Sequence, residues 1–151
     1  WEALRQKRNI SLVDKFIWDP VIPGKISFFS WRLVCKWVPI DCVVQQKGVA
    51  LASCCGYCLQ ASESFNHVFL TGPVAAAVWR FFARKFGIAG IHFLSISSVL
   101  LRWFGSHLQV GPGHIRVILP LLVLWFLWKG RNDARFNRGS FSASRVIFQV
   151  E

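Results

Sequence analysis

The sequence contains no methionine, a single tyrosine and only seven acidic residues among 151. The acidic residues are scattered from Glu2 to Glu151, so the clustered carboxylates that two-metal nucleases need are absent. Tyr57 does not belong to a Tyr-x-Asp-Asp polymerase motif, and Gly111 to Gly113 lack the flanking Lys-Ser/Thr of a phosphate-binding loop. These absences predict a chain with no catalysis of its own and no small-molecule substrate.

The sequence also has no apolar run long enough for a membrane span. Its longest run, from Val117 to Trp128, is interrupted by Pro120 and bounded by Arg116 and Lys129. A spanning helix needs about 20 apolar residues. The run is therefore predicted to form a buried helix, and no membrane partner is expected.

No secretory signal is visible, because Arg5, Lys7 and Arg8 are not followed by an adequate apolar stretch. Five cysteines without such a signal favour metal ligation, free thiols or burial over a disulfide framework. An intracellular location, nuclear or cytoplasmic, is expected. The chain opens on Trp1 rather than a methionine, which predicts a fragment of a longer translated frame.

Aromatic and basic residues are abundant. Apolar residues make up 54% of the chain, with eight Trp and fourteen Phe, which is ample material for a core. Lysine and arginine number 18, and the formal net charge is +11. Such a surplus favours polyanionic partners, either nucleic acid or an anionic membrane surface.

Apolar residues at helical spacing predict that the chain is mainly α-helical. Residues 1–24 are predicted to be extended or loop-like. Pro39 is expected to end the first helix, Asp41 to cap the second, and Pro73 to lie in the first turn of the third, which Gly87 ends. The predicted helices cover residues 25–37, 41–46, 74–86, 96–104 and 115–136.

A Cys-x-x-Cys motif lies between these helices, at Cys55 and Cys58. Two thiolates at this spacing can bind one tetrahedral zinc ion because Gly56 lets the chain fold back. His67 follows as a possible third ligand. The residues alone leave another interpretation open, in which the cysteines are small buried hydrophobes and His67 is a hydrogen-bonded core residue.

The order of short motifs resembles the zinc-binding domain that follows reverse transcriptase in plant LINE-type (non-LTR) retroelements. Each motif is weak, but their joint order over residues 17–137 is fairly specific. The matching residues are Ile17-Trp18, Pro23-x-Lys25 with Phe29-x-Trp31-Arg32, Val38-Pro39, Lys47-Gly48, Cys55-x-x-Cys58, Glu63-Ser64, His67-x-Phe69, Val78-Trp79, Trp125-x-x-Trp128, Arg131-Asn132 and Phe136.

The resemblance implies a small helical domain with an irregular zinc-knuckle-like loop between its helices. It implies that Cys55, Cys58 and His67 are zinc ligands and that a fourth ligand, a cysteine in the family, is replaced by Gly72. Since structural zinc sites are almost always closed by four protein ligands, zinc affinity is expected to be weak or lost. The chain is accordingly expected to be a degenerate fragment.

The resemblance also predicts how the chain is organised. An N-terminal extension is expected over residues 1–16, the zinc-binding-like domain over 17–87, and a helical C-terminal region over 88–151. That region would lead toward a missing ribonuclease H module. Reverse transcriptase and ribonuclease H modules of the parent polyprotein are the expected neighbours.

The basic residues nearest these motifs are candidates for contacts with RNA or DNA, and aromatic residues such as Trp37 or Tyr57 could stack on unpaired bases. The alternative is that the cations are solvated outer faces of amphipathic helices. The candidate nucleic-acid-binding residues are Arg32, Lys36, Arg80, Arg84 and Lys85.

The sequence therefore predicts a non-catalytic, zinc-binding-like accessory domain of a reverse transcriptase polyprotein that associates with nucleic acid. A metal-free structural fragment is one alternative. A basic protein that binds a membrane surface through residues 115–128 is another.

Overall fold

A computed structural model describes residues 11–89, 95–106, 113–137, 139 and 142–151. Every regular element in these ranges is helical, which confirms the predicted mainly α class. The elements are α1 (Leu12–Ile17), α2 (Gly24–Val34), α3 (Asp41–Gln46), a π-helical turn (His67–Thr71), α4 (Pro73–Lys85), α5 (Ile96–Ser106), α6 (Gly113–Phe136) and α7 (Ala143–Val150).

Helix α1 corrects the prediction that residues 1–24 are extended; residues 1–10 lie outside the described residues. Ser11 and Asp14 form a capping box, in which the Ser11 hydroxyl accepts from the Asp14 amide at 3.2 Å and Asp14 accepts from the Ser11 amide at 2.9 Å. Val13 and Ile17 lie one turn apart and are both buried. Capping and burial therefore stabilise a helix here, although the turn-forming pairs Asp19-Pro20 and Pro23-Gly24 follow it closely.

Helix α2 ends at Val34, before the predicted end at Trp37, so the expectation that Pro39 ends it is wrong. Lys36 adopts a left-handed conformation with φ of 59°. The Trp37 amide donates to the Arg32 carbonyl at 2.8 Å, and the Lys36 amide donates to the Leu33 carbonyl at 3.0 Å. These two bonds form a Schellman motif, which closes the helix through the backbone.

The remaining predicted helices are confirmed to within a few residues at their ends. Pro73 is the first residue of α4, and Gly87 follows its end with a φ of +64°. Asp41 does not cap α3, because Ile40 holds the cap position and Asp41 is the first residue of the helix. Helix α7 was not predicted.

Helix α6 lies at the centre of the packing and contacts α2, α5, α7 and the π-helical turn. Phe29 of α2 packs against Trp125 and Trp128 at ring-centroid distances of 5.3 and 6.0 Å. Phe69 of the turn stacks on Trp128 at 6.4 Å. The division predicted at residue 87 stays a prediction, and the helices on its two sides share this core.

The apolar segment that begins at Val117 belongs to α6. Its residues Leu121, Leu124 and Leu127 are fully buried, which confirms the prediction of a buried helix. Within the described ranges, none of the helices combines the length and the apolar character that crossing a membrane requires.

Candidate metal centre

The cysteine loop folds back on itself between α3 and the π-helical turn. The Cys55 amide donates to the Ala61 carbonyl at 2.7 Å, and the Leu59 amide donates to the Cys55 carbonyl at 2.9 Å. Leu59 adopts a φ of 55°, a left-handed conformation that turns the chain directly after Cys58. The turn places both thiols on the same side of the loop.

His67 joins the two cysteines from the start of the π-helical turn. One ligand atom from each of Cys55, Cys58 and His67 lies within 4.8 Å of the others, and the Cys58 sulfur is 3.3 Å from His67 Nε2. Ligands of a tetrahedral zinc ion, at about 2.3 Å for sulfur and 2.1 Å for nitrogen, lie about 3.6–3.8 Å apart. The three side chains therefore need only small shifts to share one ion.

The backbone around the sulfurs favours thiolates, the form that binds metal. The Gln60 amide, supported by the Ala61 amide, lowers the pKa of the Cys58 thiol. Burial raises the pKa of the Cys55 thiol, although the amides of Tyr57 and Cys58 donate to its sulfur. A cation at this place would offset the cost of a buried Cys55 thiolate, so the donor set suits zinc.

Gly72 lies beside the three ligands. Its amide donates to the His67 carbonyl at 2.9 Å, and this bond closes the π-helical turn. A Cβ atom at Gly72 would stand 3.2 Å from His67 Nε2 and would overlap the His67 carbonyl oxygen. Position 72 thus borders the site, as the resemblance implies, and the close backbone approach suits glycine there.

Among the described residues, the potential metal-binding group consists of these three side chains. The other cysteines of the chain do not join it: Cys54 is exposed, and Cys35 and Cys42 are half-buried at the ends of helices α2 and α3. The ligand roles of Cys55, Cys58 and His67 remain predictions, for which the geometry supplies a suitable arrangement.

A buried ion cluster next to the loop was missed by sequence reasoning. Arg131 of α6 donates to both carboxylate oxygens of Glu63, from Nε at 2.7 Å and from a terminal nitrogen at 2.5 Å. Asp41 lies 3.4 Å from Arg131 and 2.9 Å from Arg135, and its amide donates to Glu63 at 2.9 Å. Asp41, Glu63 and Arg131 are at most 4% exposed. Glu63 and Arg131 both belong to the matched motifs, but nothing in their spacing indicated that they pair.

Tyr57 attaches the cysteine loop to α6. Its hydroxyl donates to the Leu127 carbonyl, and burial raises its pKa. Gly56 lies against Ala134, with 3.4 Å between the Ala134 Cβ and a Cβ built on the glycine. Tyr57 was predicted as a possible base-stacking residue, but its half-buried ring and bonded hydroxyl serve to anchor the loop.

The predicted nucleic-acid-binding residues form two groups along the chain. Arg32 is on α2, and Lys36 follows its end. Arg80, Arg84 and Lys85 are exposed on α4, where Lys85 pairs with Glu151 and lies 5.8 Å from the Phe81 ring centroid. Their role in binding nucleic acid stays a prediction.

The fold and the site define a class: a helical protein whose Cys-Cys-His loop is anchored to a central helix. Comparison with known families agrees, since the family described as zinc-binding in reverse transcriptase matches residues 1–79. The chain belongs to this family. The domain that defines the family is an accessory zinc-binding domain rather than a catalytic one. No curated protein and no solved structure matches the chain significantly.

Proposed function

We propose that this chain is a nucleic-acid-associated accessory domain of a plant LINE-type reverse transcriptase polyprotein, with no catalysis of its own. The observation that carries the proposal is the convergence of Cys55, Cys58 and His67 within 4.8 Å in a chain of this family. The matched motifs beyond residue 79, including Arg131-Asn132, support a position before a ribonuclease H module.

Zinc is the proposed ion, held by two thiolates and one imidazole. Zinc would supply a structural link between the cysteine loop and the π-helical turn. With Gly72 at the fourth position, the affinity is proposed to be lower than that of a site closed by four protein ligands. The replacement of the fourth ligand by Gly72 is also the reason for proposing that the chain is a degenerate member of the family.

The excess of positive charge supports association with RNA or DNA. The net charge is +11, and Arg80 and Arg84 of α4 are exposed. Cations that contact phosphates release counterions on binding, so affinity should fall steeply with added salt. Affinity for nucleic acid that does not change with salt would contradict phosphate contacts by these residues.

The metal site is tested by titrating the reduced chain with zinc and with cobalt, whose thiolate complexes absorb visible light. Cys58→Ser should lose at least tenfold in affinity, whereas Cys54→Ser, an exposed cysteine outside the site, should bind as the unchanged chain does. Affinity should also fall as the pH is lowered, because both thiols and the imidazole must be deprotonated to bind.

Equal affinities for the two serine variants would overturn the assignment of the site. A thermal unfolding midpoint that does not respond to a chelator or to added zinc would favour the metal-free structural alternative, because a bound structural metal stabilises the fold directly.

A further inference from the structure

Four aromatic side chains form a surface at the end of α1, along α2 and just after α2. We call Trp18, Phe28, Trp31 and Trp37 the α2 aromatic surface. Trp31 is its centre, with ring-centroid distances of 6.5 Å to Trp18, 6.0 Å to Phe28 and 5.0 Å to Trp37. The three outer side chains are exposed: Trp18 by 51%, Phe28 by 52% and Trp37 by 58%.

The core does not require these outer rings. Helix α2 buries Ile26, Phe29 and Leu33 against the rest of the protein, and Phe28 lies on its opposite side. Single exposed apolar residues are common, but a contiguous exposed aromatic group marks an interaction site.

Cations are interleaved with the rings. Lys25, Phe28 and Arg32 follow one another at spacings of three and four, which places them on one face of α2. The Arg32 guanidinium lies 5.9 Å from the Phe28 ring centroid and donates to the Trp37 carbonyl at 3.1 Å. Within the described part of the chain, Lys25, Arg32 and Lys36 form no ion pair, so their charge is available to a ligand.

We propose that the α2 aromatic surface binds single-stranded nucleic acid, with unpaired bases stacked on Trp18, Phe28 and Trp37. Lys25, Arg32 and Lys36 would contact the phosphates that connect those bases. This inference rests on the proposed association with nucleic acid and assigns it a surface and a strand preference.

The combination of exposed rings and cations favours single-stranded nucleic acid over other partners for this surface. Stacking on aromatic side chains accepts any base, but it requires bases that are not paired within a duplex. An apolar protein partner would leave the interleaved cations without compensation, whereas a polyanion neutralises them. The exposed cations of α4 lack such a group of rings. They would therefore contact the phosphates of single-stranded and double-stranded nucleic acid alike.

The test measures binding of oligo(dT) and of a duplex of equal length to the full chain by fluorescence anisotropy, at two salt concentrations. The unchanged chain should prefer the single strand. Trp18→Ala and Trp37→Ala should each weaken binding of oligo(dT) by roughly tenfold and change duplex binding little. Phe148→Ala is the matched control, because Phe148 of α7 is 82% exposed and lies outside the surface.

Two further variants separate stacking from folding and from charge. Trp37→Phe keeps a ring and should retain most of the affinity for oligo(dT). Lys36→Gln should weaken binding and reduce its dependence on salt more than Lys47→Gln, an exposed lysine beyond α3. Thermal unfolding of each variant verifies that the exposed side chains can be replaced without unfolding the chain.

The outcomes separate the surface from the proposed function. If the unchanged chain binds oligo(dT) but the tryptophan variants bind like Phe148→Ala, the surface is wrong and the association with nucleic acid stands. If the unchanged chain binds neither nucleic acid, both are wrong. Recruitment to phosphatidylserine vesicles that the tryptophan variants lose, without binding to oligo(dT), would assign the surface to membranes instead.

Discussion

At the scale of single residues, Gly72 does two things at once. It lets the backbone close the π-helical turn through the bond from its amide to the His67 carbonyl, and it leaves the side of the candidate metal site next to His67 Nε2 without a side chain. A larger residue here would gain a possible ligand atom but would press on the His67 carbonyl. The local backbone and the ligand set are therefore linked through this position.

Replacing Gly72 tests that link. Gly72→Cys and Gly72→Ala should both lower the free energy of unfolding without metal, by about 1–3 kcal/mol, because either Cβ displaces the His67 carbonyl. With zinc present, Gly72→Cys should bind the ion at least tenfold more tightly than the unchanged chain, because it supplies a fourth protein ligand. Gly72→Ala should show no such gain. Competition with a metal-binding dye measures both affinities, and equal values for the two variants would contradict the position of the fourth ligand.

The sequence indicates Cys55 and Cys58 as candidate metal ligands because the Cys-x-x-Cys spacing is a local property of the chain. It did not predict the conformations that support them. The left-handed Leu59 and the five-residue turn from His67 have no distinct local motif, since leucine ordinarily avoids positive φ and π-helical turns are rare. The π-helical turn also packs on α6 through Phe69 and Trp128, which lie far apart in the sequence.

At the scale of elements, α6 organises the rest of the protein through both apolar and ionic contacts. Its aromatic residues pack on α2 and the π-helical turn, and Arg131 reaches the buried carboxylates beside the cysteine loop. Arg131 also lies 5.2 Å from the ring centroid of Trp128, so the ionic and aromatic contacts are continuous. Two arginines and two acidic residues balance the charge of this buried cluster.

Removing one charge from the cluster should be costly. Glu63→Gln should lower the free energy of unfolding by roughly 3 kcal/mol, because buried Arg131 loses its bidentate carboxylate partner and keeps only the longer contact with Asp41, at 3.4 Å. Glu151→Gln is the matched control, since its pair with Lys85 is at the surface and should contribute less than about 1 kcal/mol. Denaturation with urea measures both. A loss for Glu63→Gln no larger than that for Glu151→Gln would show that the cluster does not hold α6 in place.

Helices α2, α4, α5 and α6 could be predicted because their apolar spacing is local information, and Pro73 and Gly87 mark the two ends of α4. The short α3 was predicted from Asp41, which lies at its start. Helix α1 escaped prediction because the turn-forming pairs that follow it, Asp19-Pro20 and Pro23-Gly24, indicate a loop. The capping box of Ser11 and Asp14 is the local signal that marks its start. The ion cluster escaped because Glu63 and Arg131 are 68 residues apart. No local pattern links charges at that separation.

At the scale of the whole molecule, the part that the family matches and the part that stabilises it do not coincide. The match ends at residue 79, within α4, whereas the core continues through α5, α6 and α7. Phe29 and Glu63 both require partners from α6. The matched segment is therefore incomplete as a packed unit.

Truncation tests this dependence. A chain of residues 1–89 should show no cooperative thermal unfolding, because it loses the aromatic and ionic partners that α6 supplies. A chain of residues 1–137 keeps α6 and should unfold cooperatively, although at a lower temperature than the full chain, because it loses the buried Val146 of α7. Calorimetry distinguishes the two. A cooperative transition for residues 1–89 would show instead that the matched segment folds alone.

The large sequence separation of Glu63 and Arg131 also affects the order in which the site forms during synthesis. A ribosome that adds about 5–20 residues per second reaches Arg131 roughly 3–14 s after Glu63, over the 68 positions that separate them. Cys55 and Cys58 are already synthesised when that interval begins and His67 follows within about 1 s, while the helix to which their loop attaches is still missing. An ion captured in those seconds would be held by a loop still open to solvent, and synthesis of α6 would then enclose it.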